Sequence, residues 1–406
     1  MKKFLLFLFL FLFTIVDIHA LELNSEHVVL YNLNDNQIVY ELNKDEQTSI
    51  ASLTKIMTTL VAIEHISNYD EKVTVRNDMF VGLKEANAAV IGLRHNQVVT
   101  YNDLLYGMFL ASGADATRAI TISLAGSEDQ FVDWMNEKAK ELGLEHTHFE
   151  NTVGLDDKNH YSTVDEVATL LKVAMENEKF KEIFMTETYT FSDQSITVSS
   201  TFKKTAKNFN LPYDFILGAK TGYTDQAERC LASIAYDETN QIMYLLVTTN
   251  ADGSPKHILD AVNLYHYYFN HYKYYPLVKT RDTIVTLLTQ YSKIKEVAFY
   301  APKDITKYLD HEVSKEEVIL EYEGETIIHP NTKIGTKLGV VNVKYNNELI
   351  ETIDIILTTS VPFSLFVFIE INKIYFIIGF TLLLLFCFIV IKVIKKHHNK
   401  KKFEFR

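Results

Sequence analysis

An uncharged apolar run near the C-terminus limits what the rest of this chain can fold into. The run covers residues 374–391 and is rich in Leu, Ile and Phe. At about 1.5 Å per residue, a helix of this length is about 27 Å long, close to the hydrocarbon thickness of a bilayer. We therefore predict a transmembrane helix over residues 374–394, so that the long segment before it has to fold as water-soluble domains.

The residues after this run indicate its orientation. They include the basic residues Lys392, Lys395, Lys396, Lys400, Lys401, Lys402 and Arg406. Clusters of Lys and Arg next to a span remain in the cytoplasm. We expect a basic cytoplasmic tail over 395–406 and a single-pass protein of the cell membrane whose larger part is extracellular. A buried core helix is the alternative, and the basic cluster behind the run argues against it.

The N-terminus has the layout of a secretory signal peptide. Lys2 and Lys3 precede an apolar run over residues 4–16, and the small residue Ala20 follows. This run is short for a membrane span. We predict a signal peptide over residues 1–20 that is cleaved after Ala20; an uncleaved anchor is the alternative.

The net charge and the number of cysteines exclude some kinds of binding partner and of fold. The net charge of −12 becomes about −19 without the terminal segments, which hold nine of the 40 basic residues and two of the 52 acidic ones. Such an acidic surface argues against a nucleic acid partner. The two cysteines are Cys230 and Cys387, and Cys387 lies in the predicted span. A disulfide framework is excluded, so a packed core has to stabilise the protein.

Strand patterns lie at both ends of residues 21–275, and helical patterns fill the middle. A hairpin pattern covers residues 27–41, and apolar runs at 230–235 and 242–248 read as further strands. This order is typical of one sheet, closed by terminal strands and covered by helices. The sequence therefore predicts an α+β domain over 21–275.

Short alternating strands replace this pattern after Pro276. The pair Asn346-Asn347 is a typical hairpin turn between two of these strands. We predict a small all-β domain over 276–360. The apolar segment 362–371 fits either a helix on the membrane surface or a short buried strand.

A Ser-x-x-Lys pattern is the first motif with chemical meaning. A serine hydroxyl becomes a nucleophile when a nearby base takes its proton. Positions i and i+3 share one face of a helix, so Lys55 would lie beside the Ser52 hydroxyl. A desolvated lysine has a lowered pKa and can act as that base.

Two further motifs follow in order, Ser112-Gly113-Ala114 and Lys220-Thr221-Gly222. Together the three motifs resemble the active-site set of penicillin-binding proteins and serine β-lactamases. Flanking segments narrow the resemblance to the D-alanyl-D-alanine carboxypeptidases, the low-molecular-mass penicillin-binding proteins of serine peptidase family S11. The segments are 51–58, 151–156, 160–163 and 218–224. The resemblance covers roughly residues 25–275 well and the remainder more loosely, and it implies a penicillin-binding/β-lactamase-like transpeptidase domain.

The resemblance also implies roles for individual residues. Ser52 would attack the carbonyl carbon between two D-alanines, Lys55 would be the general base, and Ser112 would relay a proton to the leaving amine. Lys220, Thr221, Gly222, Tyr223 and His257 would form the substrate-binding set. Backbone N–H groups of Ser52 and Tyr223 would form the oxyanion hole.

The resemblance further implies a peptidoglycan pentapeptide as substrate and β-lactam antibiotics as acylating inhibitors. No cofactor or metal is expected.

Three positions depart from the family pattern. Ala114 stands where the family usually has Asn, Glu228 where it has Gly, and His257 where it has Arg. The alignment at His257 can shift by one residue, which would bring in Lys256. A neutral imidazole holds a carboxylate less well than a guanidinium does. These departures motivate an alternative function, a catalytically impaired peptidoglycan-binding scaffold.

A β-lactamase is a further alternative, which the sequence disfavours. That class typically has a Glu-x-x-Leu-Asn pattern whose glutamate activates the deacylating water. The nearest candidate segment, 141–145, lacks the Asn.

Overall fold

The computed structural model describes residues 22–403, so the predicted signal peptide at 1–20 lies outside the described residues. The fold is α+β with a C-terminal apolar helix, as the sequence predicts. The chain divides into two compact units, one ending at Asn270 and the other beginning at His271. The division precedes the predicted boundary at Pro276, because a strand of the second unit already begins at Lys273.

The elements of the first unit in chain order are β1 (His27–Asn32), β2 (Gln37–Leu42), α1 (Lys55–His65), β3 (Lys72–Thr74), β4 (Val98–Thr100), α2 (Tyr101–Leu110), α3 (Ala114–Ala125), α4 (Glu128–Glu141), α5 (Val164–Ala174), α6 (Glu178–Met185), β5 (Thr188–Thr190), β6 (Thr197–Ser199), α7 (Thr201–Asn208), β7 (Ile216–Thr224), β8 (Glu228–Asp237), β9 (Ile242–Ala251) and α8 (Lys256–His271), with short 3-10 helices at Ala51–Thr54 and Asn77–Phe80. Five of these strands form an antiparallel sheet of order β2-β1-β9-β8-β7.

The two faces of the sheet pack against different helices. Successive side chains of a strand point to opposite faces. On β8, Cys230, Ala232 and Ile234 join the apolar core that α1 to α6 form on one face. Ser233 points to the other face, where its hydroxyl lies 2.9 Å from the Tyr265 hydroxyl of α8. The sheet is therefore a buried middle layer.

Polar side chains set the starts of several helices, as expected for N-caps. Ser127 accepts a hydrogen bond from the backbone of Gln130 at the start of α4, and Thr163 accepts one from Glu166 at the start of α5. The break between α2 and α3 falls at Ser112-Gly113.

The second unit is built from β-strands up to Ile356. Its strands are β10 (Lys273–Val278), β11 (Thr283–Thr289), β12 (Glu296–Tyr300), β13 (Ile305–Leu309), β14 (Val318–Gly324), β15 (Ile327–Ile328), β16 (Lys337–Tyr345) and β17 (Glu348–Ile356). They form small sheets of order β10-β13, β12-β11-β15 and β14-β16-β17. Asn346 and Asn347 connect β16 to β17 with φ angles of 47° and 68°. A type I′ hairpin turn requires such angles, which explains the two asparagines.

Two helices end the described chain, α9 (Leu365–Ile371) and α10 (Lys373–Phe403). The segment whose structure the sequence left open is therefore a helix. Its side chains Leu365, Phe366 and Ile371 are exposed. Within α10, residues Lys373–Lys396 are long and apolar enough to cross a membrane, and the apolar stretch has no buried residue. This helix is suited to anchor the protein in a membrane.

Candidate active site

Ser52 lies on the 3-10 helix Ala51–Thr54, which leads directly into α1. The sequence pattern places Ser52 and Lys55 on one helix, whereas the structure places Ser52 in the tighter turn before it. Ala51 has a φ of 45°, in the left-handed region that costs energy for a residue with a Cβ atom. Because the 3-10 geometry aligns positions i and i+3, Ser52 and Lys55 still share one side.

Two glycines pass close to this turn. A Cβ atom at position 222 would lie 2.9 Å from the backbone nitrogen of Ser52. A Cβ atom at position 154 would lie 2.0 Å from the carbonyl oxygen of Ala51. Glycine is used where a backbone has to approach another group closely. Strand β7 and the loop at Gly154 therefore hold the Ser52 turn from two sides.

Lys55 is buried beside the Ser52 hydroxyl. Its Nζ atom lies 3.1 Å from Ser52 Oγ and 2.5 Å from the carbonyl oxygen of Val153. Burial lowers the pKa of Lys55 to about 7. Among the described residues no carboxylate forms an ion pair with this lysine that would restore the charged form. Near neutral pH a large fraction of Lys55 is therefore an uncharged amine with a free lone pair.

Ser112 lies at the break between α2 and α3 and points toward a second buried lysine. Lys220 of β7 donates a hydrogen bond of 3.0 Å to Ser112 Oγ and one of 2.8 Å to the carbonyl oxygen of Thr221. Burial, and then the charge on Lys55, lower the pKa of Lys220 well below its usual range. Each of the two serine hydroxyls thus has its own desolvated amine.

A cleft of about 460 Å³ opens onto these groups. It is lined by Ser52, Lys55, Ser112 and Tyr223, together with residues of the loops 86–89 and 153–156. Larger clefts lie elsewhere in this unit, but they contain none of these four residues. The cleft has the size of a site for a small molecule or a short peptide end.

Loop contacts that the motifs do not reveal shape the cleft walls. Asp115 accepts hydrogen bonds from the backbone N–H groups of residues 91–93. Asn151 Oδ1 accepts the N–H groups of Gly154 and Leu155 at 2.7 Å and 3.0 Å. His160 Nε2 lies 2.7 Å from the hydroxyl of Thr54. Sequence reasoning missed the first two because a carboxylate or amide that binds backbone has no distinctive spacing.

Ala114 occupies an apolar position in the wall of the cleft. It is 2 % exposed and packs with Leu83 and Val153. Its backbone N–H donates a 2.7 Å hydrogen bond to the carbonyl oxygen of Ala89. The methyl side chain leaves no unsatisfied polar group here, so the site is packed for alanine.

The structure places Thr221, Tyr223 and His257 differently with respect to the cleft. The hydroxyl of Thr221 lies 2.6 Å from that of Thr201, and Tyr223 is 52 % exposed at the cleft. His257 is 2 % exposed, lies in the first turn of α8, and does not line the cleft. Burial, and then the nearby Arg229 charge, lower the pKa of His257 to about 4. Its imidazole is therefore neutral at physiological pH.

Arg229, which sequence reasoning did not consider, lies close to this region. Its guanidinium stands 4.2 Å from the centre of the Tyr223 ring. Strand register pairs Tyr223 with Arg229 across β7 and β8. The alternation of Arg229, Leu231 and Ser233 in the apolar run is the sequence signal that could have placed Arg229 on the face opposite the helical core.

The sequence of this chain is similar to sequences of known proteins. Residues 15–253 match the family model described as D-alanyl-D-alanine carboxypeptidase. The chain is 26 % identical over 326 residues to the D-alanyl-D-alanine carboxypeptidase DacF of Bacillus subtilis, covering 80 % of this chain and 83 % of that protein. It is 33 % identical over 210 residues to a D-alanyl-D-alanine carboxypeptidase of Streptomyces sp. K15, covering 48 % of this chain and 71 % of the relative.

A solved structure shows the same fold. Penicillin binding protein 5 from Haemophilus influenzae superimposes with a TM-score of 0.60 at 23 % sequence identity. The match covers 84 % of this chain and 98 % of that chain. The shared architecture therefore extends beyond the segment that the family model matches.

Proposed function

This chain belongs to the D-alanyl-D-alanine carboxypeptidase family of serine-type hydrolases, and from that premise we propose that Ser52 carries the acyl group during the reaction. The substrate is a peptidoglycan stem peptide that ends in D-Ala-D-Ala. The observation that carries the proposal is the 3.1 Å distance between Ser52 Oγ and the Nζ atom of Lys55, a lysine whose burial lowers its pKa to about 7. A general base works best when its pKa lies near the working pH.

Acylation begins when Lys55 takes the proton of the Ser52 hydroxyl. Ser52 Oγ then bonds to the carbonyl carbon of the penultimate D-alanine, and that carbonyl oxygen becomes an oxyanion. The backbone N–H groups of Ser52 and Tyr223 stabilise its charge. Support for this pair comes from Gly222, whose close approach brings β7 against the backbone nitrogen of Ser52. Fixed N–H donors of this kind stabilise developing negative charge strongly in a site sheltered from water.

The leaving amine of the terminal D-alanine needs a proton before the C–N bond breaks. Ser112 donates its hydroxyl proton to this amine. Ser112 is then reprotonated through the Lys220 and Lys55 amines. The 3.0 Å hydrogen bond between Lys220 and Ser112 supports this route. Water then attacks the ester on Ser52, with Lys55 again as base, and the shortened peptide leaves. A β-lactam is attacked in the same way and stays bound as an acyl-enzyme.

A non-catalytic scaffold receives less support. Ala114 is accommodated by apolar packing, and the two serine–lysine pairs keep hydrogen-bonding distances. The sequence departures therefore fall outside the groups that move protons.

The chain's ends support a site at the outer surface of the cell membrane. A catalytic domain over 21–275 and a β domain over 276–360 lie before the apolar helix, and the basic cluster follows that helix. Because this cluster stays in the cytoplasm, the catalytic domain faces the cell wall. This arrangement brings the cleft to peptidoglycan.

Covalent labelling tests the acyl-serine step. The full chain, purified in detergent, is incubated with a fluorescent penicillin and analysed by denaturing gel and peptide mass. Wild type and Ser49→Ala should carry the label on the peptide that contains Ser52, whereas Ser52→Ala should carry none. Ser49 is a matched control because it lies three residues away and does not line the cleft. A folded wild type without label, or a labelled Ser52→Ala, would contradict the proposal.

A further inference from the structure

The terminal carboxylate of a D-Ala-D-Ala peptide requires a cation in this cleft. Lys55 and Lys220 are poor candidates, because burial lowers the pKa of both amines. His257 is neutral for the same reason. An arginine, in contrast, stays protonated in proteins and offers five N–H donors that fit a carboxylate.

Arg229 does not itself line the cleft, but it lies against Tyr223, which does. It pairs with Tyr223 across the β7–β8 ladder, and its guanidinium lies 4.2 Å from the Tyr223 ring centre. Directly paired residues of antiparallel strands share a face of the sheet. Thr221 lies two residues before Tyr223 and shares that face. Arg229 therefore lies beside the strand end that carries Thr221 and the cleft residue Tyr223.

Apart from the Tyr223 ring, Arg229 has no carboxylate partner for its charge in the part of the chain that the structure describes. Its Nε atom is buried and has no hydrogen-bond partner, and none of the described carboxylates forms an ion pair with its guanidinium. A half-buried cation without a counter-charge is costly, and a buried donor without an acceptor adds to that cost. Both costs disappear when a carboxylate ligand binds.

His257 is close enough to Arg229 for the arginine charge to lower its pKa. Its Nδ1 atom is also buried without a partner. A polar ligand bound beside Arg229 would therefore reach a region that holds more than one buried nitrogen without a partner among the described residues.

We propose that Arg229 is a substrate-binding residue that pairs with the terminal carboxylate of the peptide, the role that family resemblance would give to His257. The inference rests on the proposed carboxypeptidase function and names the group that selects its substrate. Arg229 reaches the carboxylate from β8, beneath Tyr223, instead of from α8. Thr221 supplies a hydroxyl to the same carboxylate.

Two matched peptides test the pairing. The full chain in detergent is assayed with diacetyl-L-Lys-D-Ala-D-Ala and with the same peptide carrying a C-terminal carboxamide, and kcat/KM is measured for each. Wild type should prefer the acid. Arg229→Leu should lose about ten- to a hundredfold of that preference, as expected for a charge-assisted hydrogen bond. Because one preparation is used with both peptides, the ratio does not depend on how much of the variant is folded.

The control variants separate charge from packing. Arg229→Lys keeps the charge and should retain part of the preference, and Arg76→Leu, a surface arginine paired with Asp78, should retain all of it. An unchanged acid-to-amide ratio in Arg229→Leu overturns the assignment of Arg229 while leaving the carboxypeptidase function intact. A wild type that releases neither D-alanine from the acid nor D-alaninamide from the carboxamide overturns the proposed function, and this inference with it.

Discussion

Lowering the pH below 7 should protonate Lys55 and remove the base that activates Ser52. Burial lowers the pKa of this lysine to about 7, so its amine is mostly neutral at pH 9 and mostly charged at pH 5. Below the pKa the neutral fraction falls about tenfold per pH unit, which gives a drop of about a hundredfold between the plateau and pH 5.

The assay is the second-order rate of acylation by a fluorescent penicillin, measured on the full chain from pH 5 to pH 9. The carboxylate of the penicillin stays ionised over this range, so the profile reports the enzyme. Charge on Lys55 also lowers the pKa of Lys220, and the observed midpoint therefore belongs to the pair. We expect one rise with pH whose midpoint lies within about one unit of 7.

Lys55→Arg is the matched control, because a guanidinium stays charged and cannot act as a base. This variant should acylate slowly at every pH, without the rise. A wild-type rate that is flat between pH 5 and pH 8, or that still rises about tenfold per unit at pH 9, would refute the assignment of Lys55 as the base.

Other predictions concern packing around the nucleophile. Gly222→Ala should slow penicillin acylation by about tenfold or more, because the added Cβ atom would collide with the Ser52 backbone. Gly379→Ala is the control and should acylate at the wild-type rate, because its Cβ atom would meet nothing within 4 Å. Equal rates for the two variants would count against the close approach of β7 to Ser52. Gly154→Ala should lower the free energy of unfolding by about 1–3 kcal/mol in a denaturant titration, because Gly154 has a φ of +82° and a Cβ atom there would collide with Ala51. An unchanged midpoint of the denaturant titration would contradict this prediction. Lys55→Met should abolish labelling by penicillin. It should also raise the free energy of unfolding at pH 7 by about 2–4 kcal/mol, because burying an amine with a lowered pKa destabilises the folded state. A variant that is less stable than wild type would contradict this destabilisation by the buried amine.

Local patterns predicted much of the fold because they reflect local physics. The turn at Asn346-Asn347 and the apolar helix over residues 374–394 each depend on a short stretch of sequence, and the structure has both. Helix α8 shows the limit of such patterns: the sequence stays rich in tyrosine up to Tyr275, but the helix ends at His271. Strand β10 takes over from Lys273 because it pairs with β13, which lies far along the chain.

In the candidate site, too, the sequence predicted some features and left others undetermined. The order of motifs predicted that Ser52, Lys55, Ser112 and Lys220 belong together, and the structure brings them within hydrogen-bonding distance in two pairs. The roles of these residues stay predictions until they are tested. The burial of His257 and the position of Arg229 depend on strand register and on how α8 packs against the sheet, which short patterns in a single chain do not contain.

Release of D-alanine tests the central claim most directly. The full chain is incubated with a peptidoglycan pentapeptide, and free D-alanine is quantified alongside the Ser52→Ala variant. The account predicts stoichiometric conversion of pentapeptide to tetrapeptide by wild type and none by Ser52→Ala. Binding of the pentapeptide without release by folded wild type, or equal release by both proteins, would contradict it.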